Sequence, residues 1–226
     1  MRQADNVGAA ANFRSVFERC DAPYFMWASD DDLWEPEFVA DCMGLLDANP
    51  AAQMAFCTID NINSDDVKIR DYPGFSRFSS TADRMADAER FLAEPDIMGK
   101  ANLIYGLFRT GALRTVTAEC WDAAEFAKWA GDIVFLYAFL SRHPIVACDR
   151  VLLHKSIDTP SAVPIRIVDP YTRAVRPKEF ASYVARHKAV AATPVLAALA
   201  EQLLTRRQRN SYWRRIIGAP RRLIGV

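Results

Sequence analysis

Tyr24-Phe-Met-Trp-Ala-Ser-Asp-Asp-Asp-Leu-Trp-Glu-Pro36 is an apolar run that stops abruptly at three consecutive carboxylates. With Pro36 placed where a first helical turn tolerates it, the stretch reads as a buried strand over Tyr24–Ala28, an acidic loop and a helix. In that helix Phe38, Cys42, Leu45 and Leu46 recur at helical spacing until Asn49-Pro50 ends it. Crowded carboxylates raise one another's pKa, a cost that a divalent cation removes by binding their oxygens. Mg2+ or Mn2+ held by one or two carboxylates completes its shell with water and substrate phosphates, so Asp30, Asp31 and Asp32 point to a nucleoside-diphosphate site. A solvated acidic turn capping the next helix is the alternative reading of the bare triplet. An EF-hand loop is excluded, because Glu35 stands where its glycine would be and Asp41 where its bidentate glutamate would be.

Outward from this stretch the periodicity alternates between helix and strand. A helix is expected over Ala9–Cys20, opened by an Asn-rich turn, and a second strand over Met54–Ile59. A polar excursion follows from Asn61 to Ser80, then a helix near Ala82–Glu94, a strand over Leu103–Phe108 and a short helix over Thr110–Val116. Ile133–Leu140 reads as a strongly apolar helix, ended by Pro144, with strands at Ile145–Cys148 and Val151–His154. This order predicts an α/β unit over residues 1–158. Pro160, Pro164, Pro170 and Pro177 then mark a loose connection, and helices over Pro177–Ala192 and Pro194–Arg209 complete a second unit over 159–226.

The 226 residues are 51% hydrophobic and carry no net charge, the composition of an ordinary globular protein. Ile133–Leu140 reaches only about half of the roughly 20 apolar residues that cross a bilayer as a helix. The opening MRQADNVGAAANF lacks the apolar centre of a secretory signal, and five scattered cysteines without a CxxC pair read as reduced core residues, so a cytoplasmic location is expected. The zero net charge hides an asymmetry: residues 1–66 hold thirteen acids against three arginines, and 202–226 hold seven arginines and no acid. Nucleic-acid binding does not fit, because the acidic remainder would repel phosphate. The Arg-rich end mixes arginine with Trp213, Ile216 and Ile217 in the manner of a helix lying on an anionic membrane; a solvated tail is the alternative.

The run Asn6-Val-Gly-Ala-Ala-Ala-Asn-Phe13 followed by Tyr24–Pro36 resembles the middle of family 2 glycosyltransferases. There an "N.G.a.N" turn and helix precede a strand ending in a DxD-type motif. Tyr105-Gly-Leu-Phe-Arg-Thr-Gly-Ala-Leu-Arg114 is similar to the family's "G.fRr.aL" segment near the acceptor, and Trp129-Ala-Gly-Asp132 to the segment carrying its catalytic Asp. The likeness spans roughly residues 2–158. It implies a GT-A-like (Rossmann-like) mixed sheet flanked by helices. Two departures stand out: Ser29 occupies the place of a usual Asp, and the family's opening "P.yN" and "D..StD" segments lie ahead of this start, so an N-terminally incomplete domain is expected.

The resemblance implies a donor diphosphate and metal at Asp30, Asp31 and Asp32, with Mg2+ or Mn2+ on Asp30 and Asp32. It makes Asp132 the base that takes the acceptor's proton, although Asp there also suits a helix N-cap. Asn6, Gly8, Asn12, Arg109, Trp129 and His154 become substrate-binding candidates, with core roles the alternative for His154 and for Trp27, Trp34, Trp121 and Trp129. The expected function is transfer of a sugar from a nucleotide-diphosphate donor to a saccharide or lipid-linked acceptor, with inversion, in surface polysaccharide assembly. A catalytically inactive remnant that binds a glycan or a protein is the alternative.

Overall fold

The computed structural model describes residues 5–157 and 177–218, with side chains described to Arg209. Its sheet has six strands: β1 (Tyr24–Phe25), β2 (Leu33–Trp34), β3 (Met54–Ile62), β4 (Lys68–Asp71), β5 (Leu107–Arg109) and β6 (Ile145–Ser156). The order is β1-β5-β3-β6-β2, with β4 also on β3. Only β3 and β6 run parallel; the remaining pairs are antiparallel. Every residue of β3 is buried, which explains its unbroken Met-Ala-Phe-Cys-Thr-Ile run: a strand covered on both faces has no polar side to alternate with.

The helices are α1 (Ala9–Phe17), α2 (Phe38–Ala48), α3 (Arg84–Ala93), α4 (Thr110–Cys120), α5 (Ala123–Phe126), α6 (Gly131–Leu140), α7 (Pro177–Val190) and α8 (Pro194–Gly218). From Ile133 to Leu140 every residue of α6 is buried, because α3, α4, α5 and α7 all pack around it. On the other flank Trp27 anchors an aromatic cluster with Phe13, Phe17, Phe25, Phe108 and Trp121, and its Nε1–H donates to the Phe13 carbonyl at 3.0 Å.

Several expected elements change shape. The strand expected to Ala28 pairs only at Tyr24–Phe25, since its partner β5 is three residues long. The strand expected over Leu103–Phe108 is a 3-10 turn, Lys100–Tyr105, leading into β5. Ile145–Cys148 and Val151–His154 are one strand, β6. The register against β3 slips near Thr58, whose hydroxyl donates to the Cys148 carbonyl at 3.0 Å, and this bulge absorbs the extra residues. The polar excursion contains β4 and a 3-10 turn whose Phe75 and Phe78 are buried. All five cysteines are free thiols.

Phe180, Tyr183, Leu196, Ala200 and Leu204 of the last two helices join the same buried cluster as the sheet. Arg207, expected in a basic tail, donates to the Leu92 carbonyl at 2.9 Å and reaches Asp96. Most of the proline-marked connection (158–176) and the end with Arg221 and Arg222 (219–226) lie outside the described residues, as do the side chains of Trp213, Ile216 and Ile217.

Candidate functional site

Between Met26 and Asp32 the chain passes from one edge of the sheet to the other, and β2 seats it on β6 with Leu33 opposite His154. The three aspartates therefore sit where β6, parallel to β3, finishes, the end of an open α/β sheet at which ligands bind. Their surroundings differ sharply. Asp32 is wholly buried; its Oδ2 accepts from Lys155 Nζ at 2.5 Å and its Oδ1 from the Ser156 N–H at 3.1 Å. Lys155 Nζ also lies 4.2 Å from the centre of the Tyr105 ring. Asp31 is exposed, and a hydrogen bond from the Ser29 hydroxyl holds its carboxyl below the usual range. Asp30 is exposed beside it.

The expectation that Asp30 and Asp32 share a metal changes accordingly, because a cation could reach Asp32 only by displacing Lys155. Among the described residues no group of three or more His, Cys, Asp or Glu side chains is gathered around a metal position. Mg2+ commonly takes only one or two carboxylates alongside substrate phosphates, and the exposed pair Asp30 and Asp31 suits that donor set.

His154 lies next to this loop on β6. Its Nδ1 is 2.6 Å from Asp60 Oδ1 and its Nε2 is 3.1 Å from Glu35 Oε1, so the ring bridges the end of β3 to the loop leading into α2. Burial pulls its pKa down, but the hydrogen bonds to Asp60 and Glu35 outweigh it and leave the pKa raised. A raised folded pKa means that its stabilisation is complete below the unfolded value of about 6.5 and disappears as pH climbs through the folded value. The stability difference between wild type and His154→Gln, read from denaturant midpoints, is therefore expected to be largest near pH 5.5 and to shrink toward about pH 8. A difference that does not vary with pH would mean that the ring stays neutral.

Asp132 occupies the first turn of α6. Its Oδ1 accepts from the Ile133 N–H at 2.8 Å, and burial, reinforced by nearby Asp96, raises its pKa despite that bond and the opposing charge of Arg186. The 3-10 turn Lys100–Tyr105 links this carboxylate to the aspartate loop. Lys100, fully buried and lowered to about 8 by desolvation, pairs with Asp96 at 3.0 Å at one end of the turn, and Tyr105 meets Lys155 at the other.

The other expected residues are not all drawn to this end. Arg109 stands at the opposite end of β3, beside Met54, where its guanidinium donates to the Ala52 and Leu46 carbonyls and to the Tyr24 hydroxyl, all at 3.1 Å. It ties β5 to α2 and β1, at the end of the sheet away from the aspartate loop. Asn6 and Gly8 open α1: Asn6 Oδ1 accepts from the Gly8 N–H at 2.9 Å, and Gly8 has φ +81°, a backbone that side chains other than hydrogen strain. Asn12 lies within α1 and closes its first turn onto the Gly8 carbonyl at 3.0 Å. Trp129 packs its ring 4.9 Å from Tyr183. Lys155, Asp60, Asp96 and Arg186 escaped the sequence reading; the signal for Lys155 was a lysine within a half-buried strand end, where an ammonium needs a partner.

Residues 1–105 match the family model described as Glycosyl transferase family 2. Two crystal structures of S. aureus TarS 1-349 share the fold. The one in complex with UDP-GlcNAc gives a TM-score of 0.55 at 14% identity, covering 90% of this chain and 53% of that one. The other gives 0.54 at 14% identity, covering 97% and 74%. The chain thus spans about half of the first of these. No curated protein sequence matches it. The mixed sheet flanked by helices is a GT-A-like fold.

Proposed function

We propose, from the premise that residues 1–105 are a family 2 glycosyl transferase segment, that the protein transfers a sugar from a nucleotide-diphosphate donor to a saccharide or lipid-linked acceptor. The observation that carries this reading is the aspartate loop latched by Asp32 to the end of β6, with Asp30 and Asp31 left exposed. Lys155, paired with Asp32, stands close enough for its charge to lower the pKa of the Asp31 carboxyl as well. A divalent cation, Mg2+ or Mn2+, held by Asp30 and Asp31 would supply Lewis-acid neutralisation of the departing diphosphate. Asp132 takes the proton of the acceptor hydroxyl as that oxygen bonds to the anomeric carbon; the bond from this carbon to the diphosphate breaks on the opposite side, inverting its configuration.

Because a TarS structure of this fold holds UDP-GlcNAc, that sugar nucleotide is the first donor to try. A role in surface polysaccharide assembly at the inner face of the membrane suits the Arg-rich end of α8, where Arg206 and Arg209 are exposed while Arg207 turns inward. No helix among the described residues is long and apolar enough to cross a membrane.

Calorimetric titration with UDP in the presence of Mn2+ tests the donor site. Replacing Asp30 and Asp31 together by asparagine is expected to weaken binding by about tenfold or more, the effect of losing one or two charge-assisted contacts. Equal affinity in wild type and double variant would remove the two residues from the site.

A further inference from the structure

We propose that Arg186 of α7 is a positioning residue for Asp132, its guanidinium clamping the turn that presents this carboxylate at the start of α6. The inference rests on the reading of Asp132 as the base, but the clamp is visible independently. Arg186 is only 8% exposed, and its Nη1 donates to the Glu125 carbonyl at 3.2 Å while its Nη2 donates to the Trp129 carbonyl at 2.6 Å. One planar fork therefore grips both sides of the turn between α5 and α6, its donors held at a fixed spacing that the flexible point charge of a lysine ammonium does not provide.

That turn needs holding. Ala130 has φ +54°, a left-handed conformation that strains a non-glycine residue. A Cβ on Gly131 would fall 2.0 Å from the Phe126 carbonyl oxygen, so the turn closes tightly on itself. A cavity of about 280 Å³, lined in part by Trp121, Phe126, Gly131, Phe135 and Arg186, lies against it, so packing alone does not fix its shape. Three residues before Arg186, Tyr183 meets the Trp129 ring, and α7 thus holds the turn by a ring as well as by a fork.

The charges around Asp132 give Arg186 a second effect. Asp96 faces Asp132 from the 3-10 turn Asp96–Met98 and is itself bound by Lys100 and by Arg207 of α8. From α5, Glu125 pairs with Arg186 at 3.9 Å and with Lys128. His187, the neighbour of Arg186 on α7, is fully buried, and desolvation pushes its pKa down to about 3, so it stays neutral. Arg186 is accordingly a cation whose charge opposes that of Asp96 at the Asp132 carboxylate.

Titrating the Asp132 carboxyl carbon by NMR in wild type, Arg186→Gln and Arg186→Lys tests this, with Asp132→Asn identifying the resonance. In Arg186→Gln, Asp132 is expected to titrate at higher pH, and the amides of residues 127–131 to exchange about tenfold faster, as befits loss of a hydrogen bond from a charged donor. Arg186→Lys is expected to keep the midpoint, because the charge remains, but to speed exchange, because the fork is gone. An unmoved Asp132 midpoint and unchanged exchange in Arg186→Gln would overturn the clamp; should that variant fail to fold, unchanged exchange in Arg186→Lys would do so. Full sugar-transfer activity in Asp132→Asn would instead remove the base, so the two failures are separable.

Discussion

Replacing Asp132 by asparagine is expected to lower the rate of sugar transfer by about 10²- to 10⁴-fold, the range over which a positioned general base contributes. The substitution is close to isosteric, and its amide oxygen can still accept the Ile133 N–H that Asp132 Oδ1 accepts at 2.8 Å. The first turn of α6, whose N-cap position is Ala130 rather than Asp132, therefore keeps that hydrogen bond, and the melting temperature should hardly move. What disappears is the capacity to take a proton. Burial and the Asp96 charge raise the affinity of Asp132 for that proton, the direction that improves a carboxylate base, provided it remains ionised at working pH. Activity should accordingly rise with pH through the raised pKa in the wild type and lose that limb in the variant. Release of UDP from UDP-GlcNAc or another sugar nucleotide, measured with acceptor present, reads the effect. A variant within about threefold of wild type would place the base elsewhere.

The second large effect concerns stability. Lys155→Met is expected to destabilise the fold by about 3–5 kcal/mol, the usual consequence of stranding one partner of a buried ion pair. Asp32 has no exposed side-chain surface, and without Lys155 the Ser156 N–H is the partner that remains to its charge among the described residues. Asp32→Asn in the Lys155→Met background should recover part of the loss, because a neutral amide leaves no buried charge. Chemical denaturation of the two single variants and the double variant gives the coupling directly. A cost below about 1 kcal/mol for Lys155→Met would identify the pair as a solvated surface contact.

These two sites differ in how far they could be read from the chain. The α2 periodicity and the unbroken apolar character of α6 follow from local rules, and those elements appear where the pattern puts them, whereas the strand ahead of the carboxylates is paired only at Tyr24–Phe25. Asp132 is singled out by the likeness of Trp129–Asp132 to a family segment, not by a local rule. Leu103 and Ile104 read as strand because two buried apolar neighbours look alike in a strand and in a 3-10 turn. The single strand β6 was hidden because its bulge places Asp149 and Arg150, two charged residues, in mid-strand. Arg109 lies in a motif-like segment, yet three-dimensional neighbours from α2 and β1 take up its guanidinium. Lys155 and Arg186 act through partners distant in sequence, and spacing alone carries no trace of such pairs.

The latch also governs when the aspartate loop takes shape. Lys155 and Asp32 are separated by 123 residues, and Arg109, which fastens β1, is 85 residues from Tyr24. Contacts of this span must overcome a large loop-closure entropy before they contribute anything, which slows the folding step that forms them. In a chain made from its N-terminus the three aspartates emerge well ahead of Lys155; Ser29 can bond Asp31 locally, but Asp32 has no latch until β6 has been synthesised and has docked beside β3. The carboxylates thus acquire their arrangement only when the body of the protein is already built, and an unfinished chain carries the acidic loop without its shape.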